Sequence, residues 1–328
     1  MSTYKGIQGY SVQTLASDPS PTASVEGQLW YNSTSGTYKI AISAGGAWSS
    51  APAMNTGKTE TGGARAGTTT AALSFAGDNP SVSYLVSTEK YNGTSWTEVS
   101  NLNQDRAAPG YLGTQTAAMC ISGYPPSPGA NYDEQYNGTS WSEVAEINSK
   151  RNNPGGGGTV TAGIIAGGGG SLCETWNGTS WCVENELLTA RAESGFAGTV
   201  NTAALVSGGS PSFKDITEIW NGTSWSETNQ MTTARCQFAA SFGSSTAALD
   251  VGGLSADPNV YSLLTEKWDG TSWSETGDIA LATRLAAGGG TTSAGMTFGG
   301  RNSGAPEGST TSQEWADPYV AVKTFTSS

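Results

Sequence analysis

The chain has 328 residues, of which 36% are hydrophobic, and a formal net charge of −12. It contains no apolar run of 18 residues and no basic cluster, so the sequence predicts neither membrane insertion nor nucleic-acid binding. It contains no histidine, which excludes a Ser-His-Asp triad and histidine metal ligands. Its 45 glycines lie with Ser and Thr between short apolar runs, a composition typical of an all-β protein.

Residues 1–43 are predicted to form an N-terminal arm outside the repeats of the chain. Residues 1–6 lack the apolar core of a signal peptide, so we expect synthesis in a cytoplasm and export, if any, by assembly into a particle. Strand candidates at 29–31 and 37–40 flank residues 32–36, which predicts a hairpin. Two interpretations stay open: the arm extends the last repeat, or it docks the protein onto a particle or other copies.

One hairpin sequence, aromatic-Asn/Asp-Gly-Thr-Ser-Trp, occurs five times in the chain. The closing tryptophans are 45, 40, 44 and 48 residues apart. A repeat of this period indicates a propeller or a solenoid. The five hairpins end at Trp96, Trp141, Trp181, Trp225 and Trp273.

Each repeat has the strand content of one propeller blade. Around Trp225, residues 215–220 and 225–228 are predicted strands joined by a tight turn at Asn221-Gly222. Two more short strands follow, at 238–242 and 247–251, before a Gly-Gly pair. Four strands in about 44 residues are the content of one blade.

The sixth repeat is split between the two ends of the chain. Six apolar runs end in glycine, against five full hairpins. The sequence around Trp48 matches the return strand around Trp225, whereas residues 312–317 match an incoming strand without a return. We therefore predict an all-β, six-bladed propeller over residues 44–328, with about twenty-four strands, in which the strand at Trp48 completes the last blade. Closure of this kind removes the exposed edge of an open array.

Aromatic side chains recur at two positions of the repeat. Large side chains of this kind pack between propeller sheets, so we expect an inter-blade core. The tryptophans at the closing position are Trp48, Trp96, Trp141, Trp181, Trp225 and Trp273.

The Asn-Gly-Thr sequons are interpreted as turns, because the fifth repeat has Asp269, which preserves a turn and removes a glycosylation site. A disulfide between Cys173 and Cys182, which flank one hairpin, stays open; without a secretion signal we favour two free cysteines.

Charged residues recur in register with the tryptophans. Carboxylates occur before the hairpin at Glu89, Glu134, Glu174, Glu218, Glu266 and Glu314. Cations follow the closing Trp by ten residues, or eleven in the last case, at Lys58, Arg106, Arg151, Arg191, Arg235 and Arg284. One interpretation is structural, with each cation binding a carboxylate or loop carbonyls and holding neighbouring blades together. The other is a ring of ligand pockets made by an Arg, a Glu and a Trp in each blade.

The repeat resembles two groups of known proteins. The order apolar strand, Gly-Gly, Glu-x-aromatic, turn, Trp and Arg is similar to Kelch-type repeats. The Asn-Gly-Thr-Ser-Trp hairpin resembles short propeller repeats of tailed-phage virion proteins, especially of marine phages. Residues 27–39 look like a segment found near the start of phage tail and fibre proteins. The resemblance implies a virion surface component: a tail fibre, a receptor-binding protein or a decoration protein.

A virion surface component implies particular partners and chemistry. We expect a non-enzymatic structural protein of the virion that serves host attachment or capsid and tail decoration. It would contact other virion proteins through the N-terminal arm, and a host-surface glycan or protein; an oligomer is an open alternative. The second hypothesis is a carbohydrate-binding lectin propeller, because six-bladed fucose-binding propellers use similar Arg, Glu and Trp sets. No catalytic residue, cofactor or metal is expected, and the phosphate-loop-like segment at Gly57-Lys58-Thr59 fails because Pro52 replaces its first glycine.

Overall fold

The structure is a computed structural model that describes residues 12–19, 28–43, 46–79, 81, 83–124, 132–256, 260–302, 304–305, 308–317 and 320–325. The parts of the predicted arm at 1–11 and 20–27 lie outside the described residues. The chain divides into two compact units. The larger is Ala47–Trp315, and the smaller combines Met1–Gly46 with Ala316–Ser328.

The larger unit contains six four-stranded sheets, here called blades 1 to 6 and described from the inner to the outer strand. Blade 1 consists of Gly62–Gly63, Ala72–Phe75, Thr88–Tyr91 and Trp96–Val99. Blade 2 consists of Gly110–Thr114, Ala117–Ile121, Glu134–Tyr136 and Trp141–Glu143. Blade 3 consists of Gly155–Thr159, Ala162–Ala166, Cys173–Trp176 and Trp181–Val183. Blade 4 consists of Gly195–Val200, Ala203–Ser207, Thr217–Trp220 and Trp225–Thr228. Blade 5 consists of Ala240–Ser244, Ala247–Val251, Thr265–Trp268 and Trp273–Glu275. Blade 6 consists of Ala287–Gly290, Ala294–Phe298, Ser312–Ala316 and Ala47–Ala51.

Three short strand pairs lie between these sheets. They are Asp78–Asn79 with Ser83–Tyr84, Arg235–Cys236 with Leu254–Ser255, and Thr283–Arg284 with Arg301–Asn302.

The six blades close into a ring. The inner strand of each blade contacts the inner strands of two neighbours, and that of blade 6 contacts that of blade 1. The outer strand of blade 6 is Ala47–Ala51, which comes from the N-terminal side of the chain and pairs with Ser312–Ala316. The predicted six-bladed all-β propeller, closed by the strand at Trp48, is therefore confirmed.

A second closed ring is made by the backbone alone. Six residues form this ring, one from the segment between each blade and the next. The backbone N–H of each donates to the carbonyl of another member, with N···O distances of 2.8–3.1 Å. Each has a φ of 51–54°, a left-handed conformation that is uncommon outside glycine. The circle fixes the six connections at one end of the channel. Its members are Glu60, Ala108, Asn153, Glu193, Gln237 and Leu285.

The hairpin turn is longer than the sequence predicted. Trp220 pairs with Trp225, so four residues form the loop rather than Asn221-Gly222 alone. The Asn221 side-chain oxygen accepts the N–H groups of Thr223 and Ser224, both at 2.9 Å. Only the glycine needs a positive φ, 92° at Gly222. The loop therefore uses an Asn or Asp side chain as the acceptor that holds the turn.

The fifth repeat uses its aspartate in the same way. Asp269 accepts the N–H groups of Thr271 and Ser272, both at 2.8 Å, and these donors lower the pKa of its carboxyl.

The four-residue loop also determines which residues lie opposite each other in the hairpin between Cys173 and Cys182. Thr175 lies opposite Cys182, so Cys173 does not face it, and both cysteines are free, with Cys182 exposed.

We expect Asn221→Ala to lower the free energy of unfolding by about 1 kcal/mol, because two loop N–H groups lose their acceptor. Asn221→Asp should leave stability near that of the wild type at neutral pH, since Asp269 shows that a carboxylate holds the same loop. Urea unfolding of the two variants checks this. Equal losses in both would contradict the role assigned to the side-chain oxygen.

The smaller unit is a four-stranded sheet in the order Gln13–Leu15, Leu29–Asn32, Thr37–Ser43 and Val320–Thr324. The predicted hairpin is present, with Leu29 opposite Ile40. The assignment of residues 44–328 to the propeller was wrong at its end, because Val320–Thr324 pairs antiparallel with Thr37–Ser43 in this unit. Asp18 fastens the sheet by accepting from Asn32 Nδ2 at 2.6 Å and Lys39 Nζ at 2.7 Å.

Candidate functional site

The recurring charges form buried ion pairs at five of the six blade interfaces. Each cation follows the outer strand of one blade and reaches the carboxylate on the third strand of the next. The N···O distances are 3.7 Å for Lys58–Glu89, 2.6 Å for Arg106–Glu134 and 2.8 Å for Arg235–Glu266. The other two pairs are Arg151–Glu174 and Arg191–Glu218.

The Arg191–Glu218 pair shows how one interface is held. Arg191 Nη2 donates to Glu218, and Nη1 donates to the carbonyls of Gly208 at 3.1 Å and Ile216 at 3.0 Å. Glu218 also accepts the backbone N–H of Leu188 at 2.7 Å. Both side chains are fully buried, and burial lowers the pKa of Arg191 while Glu218 opposes that shift. The pair ties the connection after blade 3 to the third strand of blade 4.

Burial bears directly on the ligand-pocket interpretation of these residues. Side-chain exposure is 0–3% in all five pairs, and the oxygens of each carboxylate are engaged by protein donors. A sugar would have to displace the blade connection to reach them. Ligand binding by this register stays a prediction, but the geometry favours the structural interpretation.

The sixth interface departs from the predicted register at both positions. Thr283, not Arg284, stands where the other blades have their cation, because Gly253 donates to the Thr283 carbonyl as Gly209 donates to that of Arg235. Gln313, not Glu314, stands at the carboxylate position, and its side-chain oxygen accepts the N–H of Leu281 at 3.2 Å. The assignments of Arg284 and Glu314 were therefore wrong by one residue. Thr283 follows Trp273 by the usual ten residues and Gln313 precedes Trp315 by the usual two, so the prediction had followed residue type instead of spacing.

Arg284 and Glu314 have other partners in the structure. Arg284 is half-buried, donates to the side chain of Gln237 and lies with its guanidinium carbon 4.9 Å from the centre of the Tyr261 ring. Glu314 accepts from the Tyr91 hydroxyl at 2.8 Å. At the interface between blades 5 and 6, two neutral side chains, Thr283 and Gln313, thus replace the ion pair, and each hydrogen-bonds to the backbone of Leu281.

The tryptophans that close the hairpins lie in the packed interior between blades. Trp141 Nε1 donates to Thr88 of the preceding blade at 3.1 Å, and Trp273 and Trp48 donate to Thr217 and Thr265 at 2.9 and 3.0 Å. These side chains therefore stabilise the interfaces with both apolar area and a hydrogen bond. The six buried indoles are Trp48, Trp96, Trp141, Trp181, Trp225 and Trp273.

One interface has a carboxylate where three others have threonine. Asp133 occupies the position of Thr88 and accepts Trp181 Nε1 at 2.8 Å and the backbone N–H of Ser122 and Ile147, each at 2.9 Å. It is fully buried, and this burial raises the pKa of its carboxyl to about 7, against the opposing effect of the three donors.

The raised pKa gives Asp133→Thr a pH signature. Between pH 4 and 7 the folded protein holds a proton on Asp133 that the unfolded chain has lost, so wild-type stability falls as pH rises through this range. The variant lacks this contribution. We expect its unfolding free energy to gain on the wild type by about 1 kcal/mol per pH unit up to pH 7, and to stay level above it.

Urea unfolding at pH 5, 6, 7 and 8 measures this difference. The exposed Asp278→Thr serves as the control and should run parallel to the wild type. A constant difference between Asp133→Thr and the wild type over these pH values would contradict the raised pKa.

Sequence reasoning missed Arg65, which breaks the repeat. It lies three residues after the start of an inner strand, where the other five blades have Gly113, Gly158, Gly198, Gly243 and Gly290. At Gly243, φ is 113° and a Cβ would lie 2.2 Å from the Ala247 carbonyl oxygen, so a side chain is strongly disfavoured there. Blade 1 accommodates Arg65 because its first hairpin is longer by two residues. The five glycines would have revealed this exception in an alignment of the repeats.

Arg65 crosses the centre of the ring. It starts in blade 1, and its Nη1 donates to the carbonyls of Phe196 in blade 4, at 3.0 Å, and Ser241 in blade 5. The guanidinium carbon lies 4.3 Å from the centre of the Tyr111 ring of blade 2. Burial lowers the pKa of this side chain.

Metal binding and membrane-spanning helices can both be assessed in the described residues. Among them, no group of three His, Cys, Asp or Glu residues is placed to hold a metal ion. In the same part of the chain, no helix has the length and apolar content needed to cross a membrane.

The fold and interfaces define a repeat propeller, and comparison with known proteins supports this class. No protein-family model matches the sequence, and no curated protein matches it. Among solved structures, the chain is similar to YjhT, a Kelch-repeat propeller, with a TM-score of 0.64 and 10% sequence identity. The match covers 84% of this chain and 97% of YjhT. At this identity the similarity shows the fold alone: an all-β Kelch-like propeller.

Proposed function

We propose that this chain is a non-enzymatic surface protein of a tailed-phage particle, which displays the propeller for host adhesion or for decoration of the capsid or tail. The phage assignment rests on the resemblance of the hairpin repeat and of residues 27–39. The observation that carries the display role is the division of labour in the chain: the repeated charges hold the propeller together, and both terminal segments form a separate sheet.

The smaller unit has the surface expected of an attachment element. Four of the ten large hydrophobic side chains that are exposed in the described residues belong to it, although it is much the smaller unit. Exposed apolar side chains gathered on a small element are typical of an interaction surface. Many copies attached in this way give avidity, so each propeller needs only weak contacts with a host. The four residues are Val12, Leu29, Tyr38 and Phe325.

The carbohydrate-binding alternative is less well supported. Its Arg, Glu and Trp sets are buried between blades, so a lectin would have to use another surface. The display role requires no such change.

The experiment is incorporation into purified particles. We expect a triple variant, Leu29→Ser, Tyr38→Ser and Phe325→Ser, to fold but to be depleted from particles at least tenfold, measured by quantitative mass spectrometry. The matched control replaces Val183 and Leu188, which are 65% and 63% exposed on the propeller, with Ser and should incorporate normally. Absence of the wild-type chain from particles, or equal incorporation of both variants, would contradict the proposal.

A further inference from the structure

The propeller axis holds an open cavity at the end where the inner and second strands turn. Its volume is about 230 Å³, below the roughly 300–1,000 Å³ of pockets for drug-sized ligands. Gly158, Gly198, Gly243 and Gly290 line it, since the repeat position that faces the axis carries no side chain there. Arg65, at the fifth such position, also lines it and is the one residue of the lining that is charged.

Hydroxyl groups surround the entrance of this cavity. Thr68, Thr199 and Thr291 belong to the turns that line it, and all three residues are exposed. They give the rim donors and acceptors that a small polar molecule can use. The entrance is therefore open to solvent and carries hydroxyls on a lining that is otherwise mainly apolar, whereas Arg65 is only 8% exposed.

The guanidinium is bound by carbonyls and not by a carboxylate; burial lowers its pKa, and the charge of buried Asp250 opposes this effect. Among the described residues, Arg65 makes no ion pair, and its buried Nε has no hydrogen-bond partner. A buried charge without a carboxylate partner is costly even where carbonyls and an aromatic ring hold it, and perturbed charges in clefts are candidates for ligand sites. The arginines that recur in the repeat differ from Arg65, because each buried one forms an ion pair with a glutamate.

Acidic residues lie on the opposite side of Arg65. A second cavity of about 60 Å³, which Arg65 also lines, has Glu60 and Glu193 of the backbone ring in its wall. Asp250 is buried nearby and accepts from the hydroxyls of Ser207 and Ser241, not from Arg65. The smaller cavity has carboxylates in its lining, whereas Arg65 is the one charged residue in the lining of the larger cavity, so the larger cavity is the more favourable of the two for an anion.

We propose that the larger axial cavity binds a small oxyanion, such as a carboxylate or a phosphate, which accepts a hydrogen bond from Arg65 and is surrounded by the hydroxyls of the rim. The site is independent of the display function, because it lies in the propeller and not in the smaller unit.

Calorimetric titration with lactate, inorganic phosphate and neutral glycerol at constant ionic strength tests the site. We expect saturable binding of at least one anion and none of glycerol. Arg65→Gln and Thr199→Trp should each weaken that binding at least tenfold, the first by removing the charge and the second by obstructing the entrance. Arg284→Gln removes a half-buried arginine outside the cavity and should leave binding unchanged.

The design distinguishes a ligand site from a structural plug. Thr199 is exposed, so its variant reports on the cavity even if Arg65→Gln fails to fold. Tighter binding of lactate assigns the ligand as a carboxylate, and tighter binding of phosphate assigns it as a phosphate group. No saturable binding of either anion, or binding that Thr199→Trp leaves intact, would overturn the proposal and leave Arg65 as a structural link between blades.

Discussion

Glu218→Ala should lower the free energy of unfolding by about 3–5 kcal/mol, the cost typical of removing one partner of a buried ion pair. The substitution leaves the guanidinium of Arg191 fully buried without a carboxylate, and it removes the acceptor of the Leu188 N–H. The loss is expected in the propeller as a whole, since the pair joins two blades of a closed ring. Urea unfolding followed by tryptophan fluorescence measures it.

Glu227→Ala is the matched control. Glu227 lies opposite Glu218 in the next strand, but its side chain is exposed. It should change stability by less than about 0.5 kcal/mol, as is usual for surface substitutions. A similar small effect of Glu218→Ala would contradict the structural interpretation of the charge register and would reopen the ligand-pocket alternative.

Removal of the closing strand should have a still larger effect. A chain of residues 53–317 lacks Ala47–Ala51 and with it Trp48, whose ring centre lies 5.5 Å from that of Trp315 and whose Nε1 donates to Thr265. Loss of one buried tryptophan costs about 3–5 kcal/mol in itself. The missing strand also exposes Ser312–Ala316 as a sheet edge, which favours aggregation.

The matched control is a chain of residues 46–317, which keeps the strand and removes the same part of the smaller unit. We expect this chain to be monomeric with a cooperative unfolding transition, and the shorter one to aggregate or to lose its near-ultraviolet circular dichroism. Size-exclusion chromatography and thermal unfolding compare the two. Equal behaviour would show that blade 6 does not need the N-terminal strand.

The number of blades and their closure could be predicted because they depend on aromatic and glycine positions that recur in every repeat. Trp48 at one end and Trp315 at the other end of the chain each match half of a hairpin. An alternating strand must keep its apolar side chains on the buried faces, so these matches determine the pairing.

Two details of register were predicted wrongly, for different reasons. The hairpin loop is longer by two residues because the Asn221 side chain, rather than a positive φ at this residue, makes the turn. At the interface of blades 5 and 6, Thr283 and Gln313 keep the spacing of the repeat, and the prediction chose the neighbouring charged residues Arg284 and Glu314 instead. The first error comes from a turn that is made by a side chain, and the second from giving residue type more weight than position in the repeat.

The central features of the channel were also hidden from sequence reasoning. The backbone ring consists of residues as different as Glu60, Ala108 and Leu285, because only their main chains participate. Arg65 stands where the other five repeats have glycine, but this difference is visible only when the repeats are aligned on their inner strands. Departures from the repeat, more than the repeat itself, indicate where a specific ligand can bind.

Cryo-electron microscopy of tailed-phage particles that contain this chain tests the central claim most directly. The account predicts six-bladed propellers at regular positions on the particle surface, attached through the sheet of Leu29–Asn32, Thr37–Ser43 and Val320–Thr324. A position at the tail or on fibres would assign host adhesion, and a position on the capsid lattice would assign decoration. Particles without any propeller, or propellers attached by a blade rim with the smaller unit facing solvent, would contradict it.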